Sequence, residues 1–144
     1  MNWLATITVV GLVVLAGLIW LFFRTRTADL IDEMLQKRKA TSKLAVRGQY
    51  VEGIECIPVA LALTEECFYY ENPDLQASFE LNRIDEVEYD DELATGRSAP
   101  HGMRVLRMRS HGTPFEFLLP EAEVSKWMEA LPPRRPGEAS RASA

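Results

Sequence analysis

Two histidines, two cysteines, an acidic run and three closely spaced arginines are the residues of this 144-residue chain whose types could carry chemistry. His101 and His111 each precede a glycine, and imidazoles invite a metal ion. If residues 103–110 form one strand between them, a rise of about 3.3 Å per residue sets the two roughly 30 Å apart. They cannot then share an ion and read as turn residues. Cys56 and Cys67 flank a predicted strand and its turn, beyond the roughly 7 Å between α-carbons that a disulfide bridges, and read as structural thiols. No serine or cysteine sits beside a plausible histidine base, and there is neither a glycine-rich phosphate loop nor a ligand-spaced Cys/His cluster. The sequence therefore assigns no catalytic residue, no cofactor and no metal, and the expectation is a protein that is not an enzyme.

The acidic run at 85–92, DEVEYDDE, lacks the Asp-x-Asp-x-Asp-Gly spacing of a calcium loop and reads as a solvated strand edge that discourages aggregation. Arg104, Arg107 and Arg109 have two readings. They pair across strands with Glu86, Glu88 or Glu116, or they hold an acidic peptide and are partner-binding residues.

Around these residues apolar positions recur with period two. Seven runs read as strands, at 44–50, 57–64, 67–71, 76–81, 84–89, 103–110 and 113–119. Turn signals separate them at Glu52-Gly53, Glu65-Glu66, Asn72-Pro73-Asp74 and His111-Gly112, and residues 91–102 form the longest loop. Alternation points Phe79, Leu81, Val87, Tyr89, Leu106, Met108, Phe115, Phe117 and Leu119 inward. It turns Glu80, Glu86, Glu88, Arg107, Arg109 and Glu116 to water. Pro120 opens a helix through Leu131 that gathers Val124, Trp127, Met128 and Leu131 on one face, and Pro132-Pro133 ends it.

The N-terminal end is of another kind. Residues 3–23, WLATITVVGLVVLAGLIWLFF, carry no charge, and 21 helical residues at 1.5 Å each match the hydrocarbon thickness of a bilayer. Thr6 and Thr8 can return their hydroxyls to carbonyls one turn back. A cleaved signal peptide would show a basic start, a shorter apolar stretch and a small-residue cleavage site, so retention as a transmembrane anchor is expected. Trp3 and Trp20 near the two ends suit interfacial belts, and Arg24 and Arg26 flank the span. Gly11 and Gly17 are six apart rather than four, which gives no close-packing dimer motif.

Seven positive residues against three negative ones at 24–47 place the C-terminal bulk in the cytoplasm and the N-terminus outside, at an inner or plasma membrane. Residues 27–40 favour helix, bearing Leu30, Ile31, Met34 and Leu35 on one face, with Asp29, Asp32 and Glu33 in the first turns and Lys37, Arg38 and Lys39 in the last. It is either a juxtamembrane element that contacts lipid through Lys37, Arg38, Lys39 and Lys43, or a spacer that continues the membrane helix and lays its apolar stripe on the domain.

From 48 to 133 six positive residues face 17 negative ones, so generic binding to nucleic acid or an anionic leaflet is disfavoured. The organisation read here is an anchor at 1–26, a juxtamembrane helix or linker at 27–43, a domain at 44–131 and a disordered Pro/Arg/Ala/Ser tail at 132–144. The fold class is mainly β, a seven-stranded sandwich or barrel capped by a C-terminal helix and preceded by one transmembrane helix.

The runs LALTEECFYYEN, FELNRIDEVEY and MRVLRMRSHGTPFEFLLP, followed by the Trp127 helix, resemble the pleckstrin-homology-like (PH-like) superfold, specifically GRAM or bacterial PH-type domains, over about residues 44–131. The resemblance implies a non-catalytic binding module for lipids or protein segments, with a groove between strand five and the C-terminal helix that can accept an extended peptide. Family members that bind lipid carry Lys and Arg in the loops between the first strands. Here those turns are acidic or neutral, which argues against phosphoinositide binding.

The expected function is thus a membrane-anchored scaffolding module with a protein partner. The alternatives are a headgroup sensor using the basic segment at 37–47, or a structural subunit of a larger membrane complex. A membrane-impermeant thiol reagent, applied after partial denaturation, should label Cys56 and Cys67 only in permeabilised cells. Labelling of intact cells would invert the topology.

Overall fold

The protein is described here over residues 3–136 of a computed structural model. In order it forms α1 (Trp3–Lys39), β1 (Leu44–Glu52), β2 (Glu55–Leu63), β3 (Cys67–Asn72), β4 (Leu75–Glu80), β5 (Ile84–Asp90), β6 (Met103–Ser110), β7 (Thr113–Pro120) and α2 (Glu121–Ala130). The strands make one curled antiparallel sheet in the order β4-β3-β2-β1-β7-β6-β5. β1 joins its two halves, pairing with β2 along its length and with β7 at Gln49, Tyr50 and Val51. All seven strands lie within two residues of their expected bounds.

Local chemistry sets the turns. His111 and Gly112 both have positive φ, 51° and 78°, as the tight two-residue loop between Ser110 and Thr113 requires. Asn72 Oδ1 accepts the main-chain N–H groups of Asp74 and Leu75 at 2.9 and 2.7 Å, closing the β3–β4 turn. Thr64 Oγ1 does the same for Glu66 and Cys67.

The concave face holds the core. Phe68, Leu61, Leu106, Met108, Phe117 and Leu119 are buried there with Trp127 of α2, and Phe68, Tyr70 and Phe117 form an aromatic triad with ring centroids 5.0–6.4 Å apart. Trp127 meets Phe68 edge-on at 5.9 Å and is wholly buried, which makes α2 the lid of the open end. Val124 and Leu131 join it as expected, whereas Met128 is 39% exposed because it falls at the margin of the buried stripe. Gly48 lets the strands close up: a Cβ there would collide with the Leu61 side chain and lie 2.6 Å from the Leu118 carbonyl.

The convex face is covered as well, which strand alternation does not reveal. Ile31 and Leu35 of α1 bury Ala60 of β2, and Leu93 of the 91–102 loop covers Val105, Leu118 and Val51. The helix expected at 27–40 is the end of one continuous 37-residue α1, as the spacer alternative has it. No glycine or proline interrupts residues 24–27, and extending a helix costs less than nucleating another. Asp29, Asp32 and Glu33 consequently lie mid-helix rather than at an N-terminus, and Leu30 is 39% exposed.

The spacer reading of this segment matches its packing. Arg38 clamps it to β3, with Nε 2.9 Å from Glu71 Oε2, Nη2 on Oε1, and its guanidinium 4.0 Å over the Tyr69 ring. The bond to Glu71 raises the Arg38 pKa against the opposing effect of burial. Upstream, α1 is long and apolar enough to cross a membrane, and its most apolar stretch is not covered by any part of the protein. Thr8 returns its hydroxyl to the Leu4 carbonyl at 2.9 Å.

Trp127 Nε1 has no hydrogen-bond partner among the described residues, so this ring acts through volume alone. Trp127→Ala should cost about 3–5 kcal/mol by urea unfolding of the detergent-solubilised chain. Trp127→Phe should cost well under half as much, since it also removes a buried unpaired donor.

Candidate functional site

The register of β5, β6 and β7 decides what the arginines do. Arg107 lies opposite Glu88 on one side and Glu116 on the other, and Arg109 lies opposite Glu86. Arg107 Nη1 donates to Glu88 at 2.8 Å and lies 3.4 Å from Asp90, while Nη2 reaches the Glu92 carbonyl at 3.0 Å and Glu116 at 3.2 Å. Arg109 Nε donates to Glu86 at 3.1 Å.

The cross-strand pairing reading is therefore realised for both residues, and the acidic run is their counter-charge. Arg104 does not belong with them. Three residues from Arg107 on a strand of period two, it projects from the opposite face, where its Nε lies 3.1 Å from Asp91.

Arg107 and Glu116 do not face open water as alternation alone suggests, for their side chains are only 20% and 12% exposed. The 91–102 loop folds over them, and Ala94 N–H donates to Glu116 at 2.9 Å. Burial pulls the Arg107 pKa down, but the bonds to Glu88 and Glu116 outweigh it and the net shift is upward. The main-chain N–H groups of Asp91 and Glu92, and then Arg107, hold the Asp90 carboxyl below its usual range.

Beyond this network β5 is an edge strand, and between it and α2 runs a cleft of about 440 Å³ bordered by Glu86, Val87, Tyr89, Arg104 and Met128. Tyr89 donates its hydroxyl to the Leu131 carbonyl at 2.9 Å, and burial raises its pKa. The chain's own tail enters the cleft. Arg134 N–H donates to the Val87 carbonyl at 3.0 Å, Val87 N–H donates to the Arg134 carbonyl at 2.9 Å, and Arg134 Nη2 donates to the Leu81 carbonyl at 2.7 Å.

The expected disorder of the tail thus fails at its start, because an unpaired strand edge captures Arg134. Residues 137–144 lie outside the described residues.

The other candidate residues are dispersed. Trp3 and Trp20 are exposed on α1, and the Arg24 guanidinium lies 5.2 Å from the Trp20 ring. Arg26 is exposed just beyond the apolar stretch. Lys37, Arg38 and Lys39 sit at the far end of α1, about 21–24 Å along the axis from Phe23, and Lys43 follows it. Three of the four are paired, Lys37 with Glu33, Arg38 with Glu71 and Lys43 with Glu65.

His101 and His111 occupy turns at opposite ends of β6. Cys56 and Cys67 are free thiols, the first exposed. Among the described residues no group of three or more His, Cys, Asp or Glu is placed to hold a metal ion. The tail docking and the cover that the 91–102 loop gives the convex face escaped sequence reasoning, although the isolated apolar Leu93 inside a polar loop was a signal for the second. No protein-family model matches this sequence, and no curated protein matches it.

Arg107→Leu leaves Glu88, Asp90 and Glu116 without their shared cation and should destabilise the protein by about 1–3 kcal/mol at pH 7. A carboxyl with a depressed folded pKa contributes above its unfolded value, about 3.9 for Asp, and loses that contribution as the pH falls through the folded value. Urea midpoints followed from pH 7 to 2.5 should therefore show the gap between wild type and Arg107→Leu narrowing below about pH 4.

Proposed function

We propose that this chain is a single-span membrane protein whose cytoplasmic domain, a PH-like fold of GRAM or bacterial PH type, is a non-catalytic scaffolding module that binds an extended protein segment along β5. The observation that carries the reading is the tail at Val87. Two main-chain hydrogen bonds there amount to a first increment of strand addition, so this edge is already competent to pair with an extended chain.

The groove floor supplies what such a segment needs besides main-chain bonds. Met128 is a flexible apolar contact, and Arg104 and Arg135 bring positive charge to the cleft beside the paired Glu86 and Glu88. Selectivity would come from that rim and not from Arg107 or Arg109, which are committed to carboxylates within the domain. The cytoplasmic orientation rests on the excess of Arg and Lys that follows the apolar stretch.

A photo-crosslinking residue at Asp85, on the β5 edge, should give a discrete protein adduct in native membranes, whereas one at Asp74, in the β3–β4 turn, should not. Ending the chain at Pro132 removes Arg134 and should raise the Asp85 adduct several-fold. Adducts at neither position, or equally at both, would sink the proposal.

A further inference from the structure

A largely apolar cleft lies where α1 leaves the domain for the apolar stretch. It encloses about 550 Å³ between α1 and the convex face of the sheet, with walls of Ile31, Pro58, Met103 and Pro120 and with Arg24 and Arg47 as its only charged lining residues. Among the described residues no carboxylate lines it, the nearest to its arginines being the exposed Asp32 beside Arg47, although the domain as a whole is strongly acidic.

Arg24 is the first charge after the 21 uncharged residues 3–23, and it meets no acidic partner among the described residues. Trp20, one turn nearer the membrane, lies under its guanidinium at 5.2 Å. Arg47 is held by the Ala28 carbonyl at 2.9 Å and lies 3.7 Å from Asp32, an exposed pairing that leaves donors of its planar fork available.

The helical span of the cleft, residues 24–31, covers about 10–12 Å beyond the apolar stretch. A lipid headgroup layer occupies the first 5–7 Å or so of that distance. The cleft mouth therefore opens at headgroup depth.

From this juxtaposition we infer that the cleft between α1 and the convex face binds an anionic phospholipid of the leaflet the domain faces, its phosphate held between Arg24 and Arg47. Charge-assisted bonds from two guanidinium groups suit a phosphate oxyanion, and the apolar walls accept the glycerol and first methylenes. The absence of a lining carboxylate removes the repulsion that the rest of this acidic domain would exert.

The site is separate from the β5 groove and from the lysines at the far end of α1. It rests on the reading of α1 as a membrane span. Bound there, a lipid would fill the seam between anchor and domain.

The test uses the full chain in nanodiscs of phosphatidylcholine with one tenth phosphatidylglycerol, released gently into native mass spectrometry to count retained lipids. The wild type should keep one phosphatidylglycerol in preference to phosphatidylcholine. Arg24→Ala, which removes no hydrogen bond or ion pair to the domain, and Arg47→Ala should each cut that retention at least fivefold. Arg26→Ala removes the same charge about 3 Å further along the helix, outside the cleft, and should leave retention unchanged.

Equal retention of the two lipids, or an equal loss in Arg26→Ala, would overturn the site. Alkaline carbonate extraction of the wild type separates the two premises. A chain that stays in the membrane yet shows no lipid preference defeats the lipid site alone, and a chain that is extracted defeats the span and the site with it.

Discussion

Both faces of a sheet must be kept from water if both are apolar, and that requirement organises this protein. Seven strands curl far enough to enclose an aromatic core on the concave side, but the curl leaves an open end and an outer surface that still carries Ala60, Val105 and Leu118, each buried to within a few per cent. Three different covers complete the job. α2 lowers Trp127 into the open end, α1 lays Ile31 and Leu35 across β2, and the 91–102 loop sets Leu93 over β6 and β7. Burying a side chain such as Ile31 completely is worth about 1.5–3 kcal/mol, so each cover contributes on the scale of a small domain's net stability.

Using the long apolar helix as one of these covers has a mechanical consequence. The segment that emerges from the apolar stretch is the same rigid rod that packs on β2 and is clamped to β3 through Arg38 and Glu71. Orientation of the domain relative to the helix axis is thus set by packing rather than left to a flexible linker. A domain with this excess of carboxylates would drift from an anionic surface if tethered loosely. Here its position is fixed, and the surfaces it turns toward and away from the apolar stretch are fixed with it.

The polar residues obey a parallel economy. Most arginines of the domain are committed to neighbouring carboxylates or carbonyls, with Arg107 the hub that ties β5, β7 and the covering loop together. Exposed pairs of this kind are worth little singly, but a four-partner hub that is only one-fifth exposed determines where a loop lies. The acidic run of β5 is accordingly the complement of the arginines on β6. It also leaves the outer main-chain edge of β5 as the polar surface that the tail, through Arg134, has begun to use.

By itself the sequence determined the seven strands to within two residues, the closing helix and its Trp127, and the apolar stretch of α1, because period-two alternation, turn residues and a run of uncharged side chains are local properties of the chain. It also determined that Arg107 and Arg109 could meet Glu86, Glu88 and Glu116, since residue type and strand parity suffice for that. Only the tertiary structure decided between a lipid-contacting element and a spacer for residues 27–40 and set that spacer on Ala60; it alone decided that Leu93 and its loop shelter Arg107, that Met128 and Leu30 lie at the margins of their stripes, and that Arg134 joins the β5 edge. Each of these depends on which distant surface is left uncovered once the sheet has curled. That is settled by burial summed over the whole fold, and no local pattern of residues carries it.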